Sequence, residues 1–243
     1  MKLAGKTALI TGGGTGIGLG AAVALAGEGC RVAIAGRREQ VVREAAESCK
    51  TDPPILAHPV DVTDRSSVAR LFDWANEKLG QIDILVNSAG INIKGRTMEA
   101  MQPEQWDQVL AINATGTYNC MYAVLPQMRE RSDGLIININ SIAGRRAAAL
   151  GGVAYDASKF AMAALGIAVG NEDAKYGIRI TNIYPGEVNT PILENRPVPV
   201  SDEHKASILQ PEDVGEVVVT IASLPPRAHI PELVIKPTQQ AFV

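Results

Sequence analysis

The sequence has little of the chemistry that metal, disulfide or nucleic-acid binding requires. Its 243 residues include only three cysteines, an odd number with no CxxC pair, which favours free thiols over a disulfide or redox site. The three histidines are far apart and form no ligand-spaced pair, so we expect no metal site. The formal net charge is −3 and no long basic run occurs, so we expect no nucleic-acid partner.

The chain also lacks the features of exported and membrane proteins. Its N-terminus has no signal-peptide pattern, and we identify no apolar run long enough to span a bilayer. We therefore expect a soluble, cytoplasmic protein with no membrane partner. A hydrophobic content of 46% with 20% charged residues is typical of a globular chain. We expect residues 1–243 to form a single domain.

Short apolar segments alternate with helix-favouring segments along the chain. Strands are predicted at 7–10, 31–35, 55–60, 82–86, 135–140, 179–184 and 233–235. Helices are predicted at 17–28, 38–50, 64–79, 106–128 (one helix or two), 155–176 and 211–224. The stretch 190–210 contains three prolines and many charges, and we predict it as a surface excursion.

This alternation of strands and helices predicts the fold class. Parallel strands need crossover connections, which the intervening helices supply. The strands lack polar alternation, as expected when both faces of a sheet are covered. We predict an α/β protein with a single doubly wound parallel sheet of about seven strands and helices on both faces, a Rossmann fold.

A glycine cluster lies between the first strand and the first helix. Gly12, Gly16 and Gly18 fit the pattern TGxxxGxG, whereas no register of the cluster fits GxGxxG. Glycines let the backbone turn sharply beside a pyrophosphate, and the following helix points its positive end at it. Such a cluster alone can also be only a tight turn, but its place favours a phosphate site. We assign cofactor binding to Gly12, Thr15, Gly16, Ile17 and Gly18.

Tyr155 and Lys159 form a YxxxK pair at the start of a predicted helix. A spacing of four residues puts both side chains on one helical face. A free tyrosine, with a pKa of about 10, is a poor acid–base catalyst at neutral pH. A neighbouring ammonium group stabilises the phenolate and lowers that pKa, so the pair suits proton transfer. Ser141 follows the fifth predicted strand, where open parallel sheets place their ligands.

With these motifs the chain resembles the short-chain dehydrogenase/reductase family over most of its length. The resemblance implies that Asp61 and Val62, after the third strand, contact the adenine ring. It implies that the segment after the fourth strand also belongs to the cofactor site, through Asn87, Ala89 and Gly90. The family usually has a second asparagine where this chain has Ser88, and we expect little consequence.

The resemblance also implies roles for the catalytic residues. Ser141 would hold the substrate oxygen, and Tyr155 would act as the general acid or base. Lys159 would hold the nicotinamide ribose, and Asn113 would anchor a water that relays protons. After the sixth strand, the family's proline–glycine pair faces the nicotinamide, which assigns cofactor contacts to Pro185, Gly186, Val188 and Thr190.

The residues after the second strand indicate which nicotinamide is bound. NAD sites usually place an acid there to accept from the ribose 2′-hydroxyl. Here Arg37 and Arg38 follow the strand, and no acid occurs before Glu39. A guanidinium can bind a 2′-phosphate bidentately. We therefore expect NADP(H) as the cofactor, with NAD(H) less favoured; two solvated arginines at a helix start are the alternative.

Together these residues predict an oxidoreductase that moves a hydride between NADP(H) and a small-molecule carbonyl or alcohol. A cofactor-binding regulator without turnover is the alternative on the same fold, since fold alone does not fix function. The family also leads us to expect a homodimer or homotetramer through the helices near 104–128 and 155–176. Arg145 and Arg146 either select an anionic substrate or face solvent or another subunit.

Overall fold

Seven parallel strands form one sheet in the computed structural model, which describes residues 1–241. The strand order is β3-β2-β1-β4-β5-β6-β7, so the chain winds outward in both directions from β1. The Rossmann fold predicted from the sequence is confirmed. The strands are β1 (Thr7–Thr11), β2 (Arg31–Gly36), β3 (Leu56–Pro59), β4 (Ile84–Asn87), β5 (Gly134–Ile139), β6 (Ile178–Pro185) and β7 (Glu232–Ile235).

Helices connect the strands and cover both faces of the sheet. They are α1 (Gly16–Gly27), α2 (Glu39–Ser48), α3 (Arg65–Leu79), α4 (Pro103–Leu110), α5 (Gly116–Arg131), α6 (Val153–Asp173), α7 (Asp202–Ser207) and α8 (Pro211–Ala222). Short 3-10 turns occur at Ile142–Gly144, Ala174–Tyr176 and Pro191–Asn195.

Side chains of each strand alternate between two hydrophobic cores. Along β1, Ala8 and Ile10 enter the core formed with α1 and α8, whereas Leu9 enters the core formed with α3 and α5. The strands are apolar on both faces because each face packs against helices. This arrangement leaves the carboxyl ends of the strands, and the loops that follow them, free to form a site.

The structure refines two regions that the sequence left open. The segment predicted as 106–128 is two helices, α4 and α5, joined by a π-helical turn at Ala111–Thr115. The surface excursion 190–210 contains a 3-10 turn and α7, neither of which we predicted. The π-helical turn, the 3-10 turn and α7 are all short, and hydrophobic periodicity is a weak signal over so few residues.

Helix α6 is the most apolar long helix of the described residues. By length and composition, residues 153–176 could cross a bilayer, with a mean hydropathy of 1.2 in the most apolar window, a segment that the sequence analysis did not single out. A single helix of this kind is weak evidence for a span, because core helices of soluble proteins have the same length and composition. The helix buries Asp156, Lys159 and Asp173, and Asp173 accepts two hydrogen bonds from Arg129 of α5.

Candidate active site

A large cavity, about 1010 Å³ in volume, lies at the carboxyl ends of the strands. It spans the point where the chain changes direction between β1 and β4, which is where open α/β sheets bind ligands. Most residues that the sequence assigned to a site line it: Gly12, Thr15, Gly16, Ile17, Arg37, Arg38, Asp61, Val62, Ala89, Gly90, Ser141, Tyr155, Lys159, Pro185, Gly186, Val188 and Thr190.

The glycine turn is packed so closely that side chains would not fit. Gly12 has a positive φ of +66°, and a Cβ there would lie 2.6 Å from the backbone nitrogen of Ala89. Gly18 does not line the cavity; a Cβ there would lie 2.3 Å from the carbonyl oxygen of Gly12. Gly18 therefore lets α1 approach the turn, and the N-terminal N–H groups of α1 form an anion site of the kind that binds a pyrophosphate.

The end of the cavity near β2 is positively charged. Arg37 and Arg38 are exposed there, and within residues 1–241 neither guanidinium makes a hydrogen bond or ion pair. Glu39 does not line the cavity, because its carboxylate pairs with Arg43 at 2.6 Å along α2. Asp61 lies nearby and accepts hydrogen bonds from the backbone N–H and hydroxyl of Thr63. Arg37, Arg38 and Asp61 line the part of the cavity where the sequence predicts the adenosine ribose of the cofactor.

Tyr155 lies in the first turn of α6, half-buried at the cavity wall. Desolvation raises the pKa of its hydroxyl above the usual value. A hydrogen bond with Ser141 and the positive charge of Arg96 act in the opposite direction, because both stabilise the phenolate. The side chains of Ser141 and Tyr155 therefore meet at one point of the cavity, as their positions in the sequence predicted.

Lys159 is buried one helical turn after Tyr155. Its ammonium nitrogen Nζ donates to the carbonyl oxygen of Ile139 at 2.9 Å and lies 5.7 Å from the centre of the Tyr155 ring. Burial lowers the pKa of Lys159 to about 7. The sequence predicted an ammonium group beside the tyrosine, and burial favours the neutral form of that group.

Asn113 does not line the cavity and lies fully buried behind it, in the π-helical turn. Its side-chain oxygen accepts from the backbone N–H of Ile91 at 2.8 Å, and its side-chain nitrogen donates to the Ile91 carbonyl and to Ser158 Oγ. Asn113 therefore ties the loop after β4 to α6. Turns of this type are frequent at functional sites. Its water-anchoring role stays a prediction.

Asn87 also lies outside the cavity lining, in a row of buried asparagines across the sheet. Its side-chain nitrogen donates to Asn138 Oδ1 at 3.0 Å, and Asn138 in turn donates to Asn182 Oδ1 at 3.1 Å. The row joins β4, β5 and β6 just below the cavity. Asn87 therefore positions the segment that leads to Ala89 and Gly90.

Comparison with known proteins agrees with this geometry. The short chain dehydrogenase family matches residues 6–199 of the sequence. The chain belongs to the short chain dehydrogenase family. An uncharacterized oxidoreductase of Staphylococcus saprophyticus is 34% identical over 239 residues, which cover 98% of this chain and 99% of the relative. The chain is an oxidoreductase of this family.

Two solved structures are similar over nearly the whole length of this short chain dehydrogenase. A 3-ketoacyl-(acyl-carrier-protein) reductase from Brucella melitensis complexed with NADH has a TM-score of 0.87 at 29% identity, covering 98% of this chain and 99% of its own. The closed form of a serine dehydrogenase complexed with NADP+ also has a TM-score of 0.87, at 28% identity, covering 97% and 96%. These relatives support a nicotinamide cofactor of either type.

Arg96 lines the cavity of the dehydrogenase but was not singled out from the sequence. Arg96 is 7% exposed and donates hydrogen bonds to three backbone carbonyls, those of Ile93, Leu150 and Asn195. The last two acceptors are 54 and 99 positions away in the sequence. No motif or periodicity marks Arg96, so the sequence carried no signal for it.

Other charged residues of this region also pair across loops. Glu187 accepts from Arg196 at 3.1 Å and contacts the His204 ring nitrogen at 2.7 Å. Arg145 pairs with Glu232 of β7 at 2.9 Å and does not line the cavity, whereas Arg146 does. Arg145 is therefore paired within the fold, away from the cavity.

Proposed function

We propose that this oxidoreductase transfers a hydride between NADP(H) and a carbonyl or alcohol, with Tyr155 as the general acid or base. The observation that carries the proposal is the meeting of Tyr155, Ser141 and Lys159 at one wall of the cavity that begins at the glycine turn. A group that exchanges a proton and a group that holds the substrate oxygen are thus adjacent.

The cofactor would lie along the cavity, held by the residues that line it. The turn at Gly12–Gly18 and the N-terminus of α1 would bind the pyrophosphate. Arg37 and Arg38 would bind the ribose 2′-phosphate, which is why NADP(H) is preferred over NAD(H). The segment from Pro185 to Thr190 would hold the carboxamide end. When bound, the nicotinamide supplies or accepts the hydride.

The protein's own part in the reaction is to hold the oxygen and move the proton. In reduction, the Tyr155 hydroxyl donates its proton to the carbonyl oxygen of the substrate as that oxygen gains charge. Ser141 donates a hydrogen bond to the same oxygen. Oxidation of an alcohol runs in reverse, with the Tyr155 phenolate accepting the proton. Stabilising this phenolate is the main electrostatic task of the site.

Two cations would stabilise the Tyr155 phenolate. Arg96 keeps its charge across the physiological range, because an arginine side chain does not lose its proton in proteins. Lys159, with a pKa lowered to about 7 by burial, gains or loses its charge near neutral pH. Lys159 would therefore serve as a proton-exchanging neighbour as well as a ligand of the nicotinamide ribose.

We further propose that the protein is a homodimer or homotetramer. Helices α5 and α6 expose several large side chains, among them Tyr118, Tyr122, Phe160 and Ile167, with exposed fractions from 41% to 69%. Exposed aromatic side chains of this kind are enriched at subunit contacts. Light scattering is expected to give a mass above that of one chain, and Tyr122→Glu is expected to lower it. A wild-type monomer at all concentrations overturns this proposal.

The test of the proposed function is a panel of carbonyls and alcohols followed by cofactor absorbance, with NADPH/NADP+ and NADH/NAD+ in parallel. We expect turnover with a higher kcat/KM for the phosphorylated pair. Tight cofactor binding without turnover of any compound supports the alternative of a non-catalytic regulatory protein. A preference for NADH overturns the cofactor assignment alone.

A further inference from the structure

Arg96 stands out as a buried cation in the wall of the substrate end of the cavity. Its side chain is 93% removed from solvent and still lines the cavity beside Asn92, Leu150 and Asn195. Arginine is rarely buried to this degree unless it is paired with an anion. The question is therefore what compensates the charge of Arg96.

The three carbonyl groups bound by Arg96 use only part of its hydrogen-bonding capacity. Nε donates to Ile93, and the two terminal nitrogens donate to Leu150 and Asn195. A guanidinium has five N–H groups, so one N–H on each terminal nitrogen is left over. A guanidinium that still offers two N–H groups can bind both oxygens of a carboxylate.

The three carbonyl groups accept hydrogen bonds from Arg96 but carry no net charge. Of the ion pairs formed within residues 1–241, none includes Arg96. The charges that act on it are Arg196, which disfavours its protonated form, and Asp156 and Tyr155, which favour it. Desolvation is the largest effect, and it lowers the pKa of Arg96. Asp156 is buried and acts on Arg96 without forming an ion pair with it, so the charge of Arg96 is compensated only at a distance. An anionic ligand in direct contact would offset more of the desolvation cost of this cation.

The remaining charges of the same wall do not cancel Arg96. Glu187 is already bound by Arg196 and His204. Glu194 is exposed at the rim, where water solvates its carboxylate. Arg196 adds a further guanidinium group to the lining, and it is the group that holds Glu187. Neither carboxylate of this wall therefore forms an ion pair with Arg96.

We propose that Arg96 binds a carboxylate of the substrate, so that the substrate class is an oxo-carboxylic acid or the corresponding hydroxy acid. The inference rests on the proposed hydride transfer at Tyr155. The charge of Arg96 acts on the Tyr155 hydroxyl, so both groups face the same part of the cavity. The carboxylate stays unreacted and orients the neighbouring carbonyl toward Ser141 and Tyr155.

The first test uses the wild-type protein and matched pairs of compounds. A series of 2-, 3- and 4-oxo carboxylates is compared with the ethyl ester of each, under NADPH. We expect kcat/KM for the best acid to exceed that of its ester by at least about tenfold, which corresponds to about 1.4 kcal/mol. Esters that react as well as the acids overturn the substrate class while leaving hydride transfer intact. If neither acids nor esters react, the proposed function itself fails.

The second test compares two arginine variants. Arg96→Gln is expected to bring the acid-to-ester ratio close to one, mainly through a higher KM for the acid. Arg145→Gln is the matched control, since Arg145 pairs with Glu232 outside the cavity, and it should keep the wild-type ratio. An equal loss for acids and esters in Arg96→Gln would show that Arg96 only holds the loops together, and would overturn the proposal.

Arg96→Gln also removes hydrogen bonds that join three loops, so it could fail to fold. A third measurement needs only the wild-type protein. Saturated carboxylates without a carbonyl are expected to inhibit competitively against the carbonyl substrate, and their methyl esters are not. Inhibition that is equally strong with the esters speaks against a carboxylate site at Arg96.

Discussion

The two ends of the cavity are built in different ways. The cofactor end is built from short motifs, each made of residues close together in sequence, such as the glycine turn inside Gly12–Gly18 and the arginine pair directly after β2. The substrate end depends on contacts between distant segments. Arg96 reaches carbonyls 54 and 99 positions away, and Gln240 accepts from the backbone N–H of Glu187 across 53 positions.

This difference explains why one end is readable from the sequence and the other is not. A phosphate site needs backbone N–H groups, a tight turn and a helix N-terminus, which one short motif can supply. A substrate wall needs side chains that meet in space. The same difference predicts that a substitution at the cofactor end affects the binding of one ligand. A substitution at the substrate end is expected also to disturb the contacts between the loops.

The largest effect is expected where the two ends meet, at Tyr155. Replacing Tyr155 by Phe removes the proton donor and keeps the ring. We expect kcat to fall by about 10²- to 10⁴-fold, because that is the usual contribution of a positioned general acid. Cofactor affinity and melting temperature should change little.

Tyr118→Phe is the matched control, because Tyr118 is exposed on α5 and lies outside the cavity. It should retain wild-type turnover. Wild-type kcat in Tyr155→Phe would falsify the proposed proton transfer and remove the link between the two ends.

Lys159 is expected to make stability depend on pH. Its pKa is about 7 in the folded protein against 10.5 for the free side chain. Between these values the unfolded chain holds a proton that the folded protein has released, so stability rises with pH across this window. Relative to Lys159→Met, the wild-type protein should gain a few kcal/mol between pH 7 and pH 10.5.

The measurement is chemical unfolding of both proteins at several pH values without cofactor. Lys175→Met is the control, since Lys175 is exposed, and it should follow the wild type at every pH. A constant difference between wild type and Lys159→Met would mean that burial does not perturb the ammonium group.

Arg37 is expected to set the cofactor preference. Arg37→Ala removes a guanidinium from the 2′-phosphate, and a hydrogen bond to a charged group contributes about 1.5–3 kcal/mol. The ratio of kcat/KM for NADPH over NADH should therefore fall by about 10- to 100-fold. The loss should come from NADPH, with NADH little affected.

Arg43→Ala tests whether the change in cofactor preference depends on an arginine that lines the cavity. Arg43 lies on the next helical turn and pairs with Glu39 outside the lining. It should keep the wild-type ratio. An unchanged ratio in Arg37→Ala would assign the preference to another group and weaken the contrast between the two ends.

The smallest effect is expected at Gln240, where the C-terminal segment contacts the cavity. Its side-chain oxygen accepts from the Glu187 N–H at 3.0 Å. Gln240→Ala removes one neutral hydrogen bond, worth about 0.5–1.5 kcal/mol. We expect a rise in KM of a few-fold, with kcat kept. Gln40→Ala, at an exposed site on α2, should leave KM unchanged.

Much of the fold was predictable because it depends on local patterns. All seven strands and the long helices were found, since apolar runs, glycines and helix starts mark them. The two elements that were missed, the π-helical turn at Ala111–Thr115 and α7, are each shorter than two helical turns. The apolar stretch of α6 was not identified from the sequence, because its many alanines and glycines do not form an obvious long apolar run.

The residues predicted for the candidate site fall into two groups, those that line the cavity and those that lie behind it. Ser141, Tyr155 and the glycine turn line the cavity as expected. Asn113 and Asn87 lie behind it, because their side chains bind neighbouring loops and strands and not the cavity.

The order of strands and helices, the glycine turn and the spacing of Tyr155 and Lys159 can all be predicted from the chain alone, because each depends on residues a few positions apart. The electrostatics around Tyr155 arise only on folding. Burial lowers the pKa of Lys159 to about 7, and the fold brings Arg96 into the same wall from a loop that no motif marks. Desolvation and distant charges are properties of the packed chain, so they appear only when it is folded.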